Sequence, residues 1–247
     1  MTVVRLSSCL AALLFAFIAP IEAFAQTAKP ARHLVYTFTW GATTDLQMQS
    51  SGMTEGGGTA GSGMSDFGGG TQDKGTVSVD VIREQPDRGL VISISEQAQD
   101  RRSAPPATCV VFGNTNVICD PNAKVNPEEV ELARLLGPTF IDPAQIDPKQ
   151  HWQVRQNNPD YDTVSDFTIE SNSAGILKVV ESRTVTGATS RPFKRDVIEA
   201  IAYDFNRTLP TSITEDTTER SEGTNQYQTI KSQTTLRLES DSLAAKP

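Results

Sequence analysis

The sequence predicts a mainly β protein, an antiparallel meander of strands with one short capped helix. Three observations carry this. Apolar residues recur with period two in run after run, Gly, Pro and Asn punctuate the gaps between runs, and a single segment carries helix start and stop signals.

The chain opens with "MTVVRLSSCLAALLFAFIAPIEAFAQ". Arg5 supplies a positive start, Leu10 to Ile18 an apolar run, and Ala23-Phe24-Ala25 a cleavage signal before Gln26. This is the layout of a secretory signal peptide, cut between Ala25 and Gln26. The apolar run is short for a membrane span, which needs about 20 residues, so no stable span is expected after processing. Leu6-Ser7-Ser8-Cys9 looks like a lipoprotein box, but there the apolar run must precede the cysteine, and here it follows. The expected product is one β-rich domain, residues 26–247, exported to a periplasmic or extracellular location. Arg5 and Glu22 cancel, so the mature chain keeps the net charge of −8. An acidic chain repels nucleic acid and anionic lipid surfaces, and no nucleic-acid partner is expected.

The first mature strand is "HLVYTFTW". Leu34, Tyr36, Phe38 and Trp40 share one face. Such a row either fills a core or lines an apolar cavity, and Tyr36, Phe38 and Trp40 are the candidate lining of an apolar-ligand site. A glycine tract follows. Ten of the 17 glycines lie between Gly52 and Gly75. Gly56, Gly58 and Gly61 fit the dinucleotide fingerprint, but that fingerprint needs a helix directly afterwards, and "SGMSDFGGG" cannot supply one. The tract reads as a flexible insertion at residues 52–75, between a strand ending near Gln49 and one starting near Thr76.

"TVSVDVI" and "LVISIS", joined by "EQPDR", form a hairpin. "CVVFGNTNVIC" forms a second. Folding it about Asn114 sets Cys109 opposite Cys119, and opposed positions lie about 4.5–5.5 Å apart, within disulfide range. An exported location permits that bond. With no C-x-x-C and no histidine at ligand spacing, neither a redox pair nor a zinc site is expected.

"VNPEEVELARLLGP" is the helix. Asn126 is the N-cap, Pro127 the first helical residue, Glu129 completes a capping box, and Gly137-Pro138 ends it. Val125 is placed to staple onto Val130, and Val130, Ala133 and Leu136 form the expected buried stripe, with Leu132 and Leu135 beside it. The remaining runs are "VSDFTI", "GILKVVESRTV", "DVIEAIAYDF" and "YQTIKSQTTLRLES". "TSITEDTTERS" has Ile213 as its one apolar residue, which predicts an edge strand or the wet end of a long hairpin. The carboxylates of these C-terminal strands alternate with Thr and Arg and read as a solvated face.

Candidate chemistry is sparse. There is no nucleophile-elbow motif, and the two histidines, His33 and His151, give little scope for general-base catalysis. Asn158, Asp160, Asp162 and Asp166 have calcium-loop spacing, but Thr163 stands where the loop wants Gly and Ile169 where it wants Glu. No catalytic residue, cofactor or metal is predicted.

The order of a signal peptide, strand meander, short helix and then "DFNRTLPTSITED…TLRLES" resembles exported bacterial proteins of the periplasmic lipoprotein-carrier type. The resemblance implies a curved, half-barrel-like antiparallel sheet around a hydrophobic cavity, and with it a non-catalytic carrier or binder of an apolar or lipid-like ligand. The alternative is an extracytoplasmic structural or protein-interaction component of the cell envelope. A secreted hydrolase stands third. A deep apolar cavity favours the first, a packed sheet face the second, and convergent buried polar groups the third.

Overall fold

The computed structural model describes residues 30–48, 70–85, 89–100, 104–113, 115–137, 140–141, 150–188, 192–223 and 226–243. The signal segment with its Ala25–Gln26 site and most of the glycine tract, including Gly56, Gly58 and Gly61, lie outside the described residues. Among the described residues the fold is a single antiparallel sheet of 11 strands, not closed into a barrel, with one short helix.

The first described strand lies in the middle of the sheet. β1 (Arg32–Met48) is followed outward by β2 (Thr71–Gln85), β3 (Gly89–Ala98), β4 (Ala107–Val111) and β5 (Val117–Cys119). The helix α1 (Pro127–Arg134) follows, and the next strand in the chain lies at the opposite edge. There β6 (His151–Asn158) starts a second meander through β7 (Tyr161–Ser173), β8 (Ile176–Gly187), β9 (Phe193–Asp204), β10 (Leu209–Gly223) and β11 (Gln226–Asp241). β11 pairs with β1, so two meanders join at a central seam and β5 and β6 form the free edges.

One face is buried. Leu34, Tyr36 and Phe38 of β1, Val77 and Val79 of β2, Ile92 and Ile94 of β3, Phe167 and Ile169 of β7 and Leu177 and Val179 of β8 alternate inward and form one core. Trp40 is half-buried against it. The Tyr36 hydroxyl donates to Pro210 O (2.8 Å) and that of Tyr203 to Gly137 O (2.8 Å), so both buried phenols are satisfied. Phe140 packs edge-on to Phe167, and Trp152 stacks on Phe167 with ring centroids 5.0 Å apart. Cys109 and Cys119 are directly paired and bonded.

Three local expectations are corrected. β2 starts at Thr71 rather than near Thr76, taking in the last residues of the glycine tract. Of the two readings of "TSITEDTTERS", the long hairpin holds and the edge strand is overturned, because β10 pairs with both β9 and β11. Finally, Val130 points to solvent (38% exposed), while Glu128, Glu129, Leu132, Ala133, Arg134, Leu135 and Leu136 are buried. The helix is turned so that residues 128, 131, 132 and 135, one i, i+3, i+4, i+7 stripe, meet the sheet. Charged side chains of the helix are therefore inside. The Glu129 carboxylate accepts from the Asn126 N–H (2.7 Å), as the capping box requires. Among the described residues no helix is long and apolar enough to cross a membrane.

Candidate functional site

Of the carboxylates of β8, β9 and β10, Asp216 lies on a solvated face, but three others do not. Period-two alternation puts Glu181 in line with Leu177 and Val179, Glu199 with Val197 and Ile201, and Glu215 with Ile213, all pointing inward. Arg183 joins them from β8, and α1 adds Glu131 and Arg134. Six charged groups thus meet between helix and sheet.

Arg134 organises the inner half. Its Nε donates to Glu131 (2.6 Å) and its Nη2 donates to both Glu181 and Glu199, the latter at 2.7 Å. Arg183 organises the outer half, donating from Nη2 to Glu131 Oε1 (2.7 Å) and to Glu215 Oε2 (3.2 Å). Thr217 donates to the other Glu215 oxygen (2.8 Å). Glu181 and Glu199 are fully buried and stand directly opposite each other in the β8–β9 ladder, each with its Oε1 left without a hydrogen-bond partner.

Four carboxyl groups face two guanidiniums, and burial penalises the unmatched charge. Burial, with Arg134 only partly offsetting it and Glu131 and Glu181 adding to it, holds Glu199 well above the ordinary carboxyl range. Burial and the Glu131 carboxylate also push Glu215 up, to about 7, against the pull of Arg183. Burial acts on Glu131 in the same direction, but Arg134 and Arg183 outweigh it and bring that group to about 2. Both guanidiniums are raised, because their carboxylate partners outweigh the burial penalty.

Two chemical uses of this cluster fail on geometry. Glu131, Glu199 and Glu215 bring one oxygen each within 4.8 Å of one another, the spacing of a loose cation site. Yet Glu131 accepts guanidinium donors on both oxygens, so positive charge is already in place. An acid and base pair made of Glu215 and Glu131 would need a substrate between them. The Arg183 guanidinium fills that gap, bonded to both.

Elsewhere, an apolar cavity of about 190 Å³ opens beside the C-terminal end of α1, lined chiefly by Leu34, Val81, Leu90, Leu136, Leu209 and Leu243. The far end of the sheet carries a wide, open trough of about 480 Å³ whose lining includes Gly41, Gln72, Asp216 and Gln233. Gly41 pairs with Gln72 on one side and Gln233 on the other, and Gln233 donates to Asp216 (2.8 Å). A second trough of about 480 Å³ adjoins it past Thr39, Lys74 and Asp100.

Of the sequence-predicted residues, Tyr36 and Phe38 are 0% and 2% exposed within the core, and Trp40 sits at its margin. Cys109 and Cys119 lie at one edge of the sheet, away from the cluster. His33 and His151 are exposed, paired with Asp80 (2.7 Å) and Asp166 (3.5 Å). Asp166 also accepts from Gln153 (2.8 Å), so it turns toward β6 and not toward a loop centre. The six charged groups under α1 escaped the sequence reading, although each strand carboxylate stands in phase with apolar neighbours. No protein-family model matches the chain, and a comparison with curated proteins finds no significant relative.

Proposed function

We propose that the protein is a non-catalytic extracytoplasmic interaction component of the cell envelope, a sheet platform rather than a carrier. The observation that supports this reading is the packed inner face. Tyr36 and Phe38 are closed off by neighbouring side chains, and the tyrosine hydroxyls are tied to backbone carbonyls across the core. That leaves the outer face, with its open troughs beside Gly41, as the surface open to a partner. The buried carboxyls favour a non-catalytic role because they are engaged with Arg134 and Arg183. The Cys109–Cys119 bond fits an oxidising, exported location, periplasmic or extracellular.

A second reading, a carrier of an apolar or lipid-like ligand, is favoured by the leucine-lined cavity beside α1. At about 190 Å³ it would hold a short acyl segment and not a whole lipid. One experiment separates the two. A fluorescent fatty-acid probe is titrated into the mature protein and into Phe38→Ala, with a melt of each. The interaction reading expects no saturable uptake by the parent, and a stability loss of about 3–5 kcal/mol in the variant, as for a packed phenylalanine. Saturable one-to-one uptake by the parent supports the carrier and rejects the platform.

A further inference from the structure

α1 spans eight residues, too few for a helix to persist in water on its own. Its place depends on what it buries, and that is of two kinds. Leu132, Leu135 and Leu136 enter the core, while Glu131 and Arg134 enter the charge cluster on β8, β9 and β10. With every carboxyl ionised, the cluster would carry two negative charges more than its arginines can match. Buried charge of one sign is costly, and protonation relieves it. Two protons make the cluster neutral.

The geometry says which carboxyls take them. Glu199 is fully buried, its Oε1 has no hydrogen-bond partner, and it stands directly opposite another carboxyl, that of Glu181, in the β8–β9 ladder, so a proton on Glu199 relieves like charge there. Glu215 has the longest guanidinium bond of the cluster's close pairs, 3.2 Å to Arg183, and a hydroxyl on its other oxygen. Its side chain keeps 12% of its surface, so protons reach it from solvent.

We propose that the cluster is a proton-controlled latch: protons on the strand carboxyls Glu199 and Glu215 fasten α1 to the sheet, and loss of the Glu215 proton loosens the helix. Ionised Glu215 faces the Glu131 carboxylate with the single guanidinium of Arg183 between them. That guanidinium cannot match both, and the repulsion acts between sheet and helix. Among the described residues β3, β5 and β11 also pack against α1. On their inward faces they bring few charged groups. β3 brings Glu96, β5 none, and β11 Asp241, which Arg32 and Arg207 already hold. On α1 itself Glu129 is held by the Asn126 N–H, and Glu128 is buried beside it. Nothing among these groups supplies a further cation to Glu215.

The sign follows from the raised position of Glu215, about 7, against an ordinary carboxyl in the undocked helix. Docking is at full strength below the ordinary carboxyl range and weakens as pH rises through about 7. Loosening bares Leu132, Leu135 and Leu136, so the latch controls access to an apolar stripe.

The test is hydrogen exchange by mass spectrometry on the mature, disulfide-intact protein at pH 5.5 and 8.0, corrected for intrinsic rates. Protection of the amides of residues 130–136 is expected to fall roughly 30-fold across that interval, while β1 and β11 keep theirs. Glu215→Gln, fixed in the uncharged form, should hold its protection at pH 8.0. An unchanged helix in the parent, or an equal loss in Glu215→Gln, overturns the latch. Should that variant not fold, carbon NMR titration of the Glu215 carboxyl in the parent decides. A midpoint near 7 that tracks the loss of protection supports the latch, and one below 5 rejects it. Calcium chloride added at pH 8.0 should restore nothing; restored protection would make the cluster a cation site instead.

Discussion

Gly75 stands directly opposite Phe38 in the β1–β2 ladder, and the absence of a side chain there lets the ring and the β3 backbone close over it. A Cβ on Gly75 would lie 2.0 Å from Gln97 O and 2.8 Å from Phe38 Cε1. The last glycine of the tract is thus a packing residue. It is what allows Phe38 to be buried against three strands, and it ties the composition of the tract to the closure of the core.

Gly75→Ala is therefore expected to destabilise the fold by about 1–3 kcal/mol or more, since overpacking must shift backbone as well as a ring. A denaturant melt checks this, with Gly41→Ala as the control. At Gly41 a Cβ meets nothing nearer than 3.7 Å, and that variant should melt close to the parent.

The strands were legible because period-two alternation and turn residues are local signals. "HLVYTFTW", the "TVSVDVI" and "LVISIS" pair and the cysteine hairpin all appear where their patterns place them. The strand order was less so. Nothing local in β1 or β11 says that chain ends meet at the centre of the sheet, because that pairing is set by two meanders closing on each other. The rotation of α1 was misread for a physical reason. Val130, Ala133 and Leu136 make a good apolar stripe, but Glu131 and Arg134 gain partners only from β8, β9 and β10, far away in sequence. Glu181, Glu199 and Glu215 were misassigned for the same cause. Charge argues for solvent until its counter-charge is located, and the arginines here lie on another element. The in-phase position of each glutamate was the available signal.

Cys109 and Cys119 should titrate as no free thiol in denatured, unreduced protein. Reduction should lower stability by about 2–3 kcal/mol, the value for closing so short a loop. A melt with and without reductant reads the difference directly.

Tyr36 donates its buried hydroxyl to Pro210 O, next to the register shift between Pro210 and Ser212 in β10. Proline has no N–H to give to the ladder and sits at this irregularity, where none is needed. Tyr36→Phe leaves the Pro210 carbonyl without its donor, and a loss of about 1–2 kcal/mol is expected by melting. Burial holds the phenol protonated well above its ordinary range, so the loss should be the same at pH 6 and pH 9.

The pH dependence of whole-protein stability has two opposed parts. Glu131, at about 2, and Asp241, held low by Arg32 and Arg207 against burial, contribute stability that is present above the ordinary carboxyl range and lost in acid. Glu215, raised to about 7, contributes stability that is complete below that range and lost as pH rises through about 7. The optimum should lie near pH 5. Between there and pH 8 the Glu215 share is at most about 3 kcal/mol. Subtracting the Glu215→Gln profile from the parent profile isolates it, and a flat difference would show that Glu215 titrates normally.

Arg134→Met tests the same cluster from the cationic side. Methionine keeps most of the side-chain volume and removes the charge, so the cavity left is small. What it leaves is Glu131, Glu181 and Glu199 facing one another with only the Arg183 guanidinium nearby. Breaking a buried pair in this way is expected to cost about 3–5 kcal/mol near pH 8, because the orphaned carboxylates cannot reach water. Lowering the pH supplies the missing positive charge as protons, so the deficit should shrink toward pH 5. A packing defect alone would give the same deficit at both pH values. Melts of parent and variant at pH 5 and pH 8 therefore separate the two causes, and a pH-independent loss would mean that Arg134 holds α1 by its bulk and not by its charge.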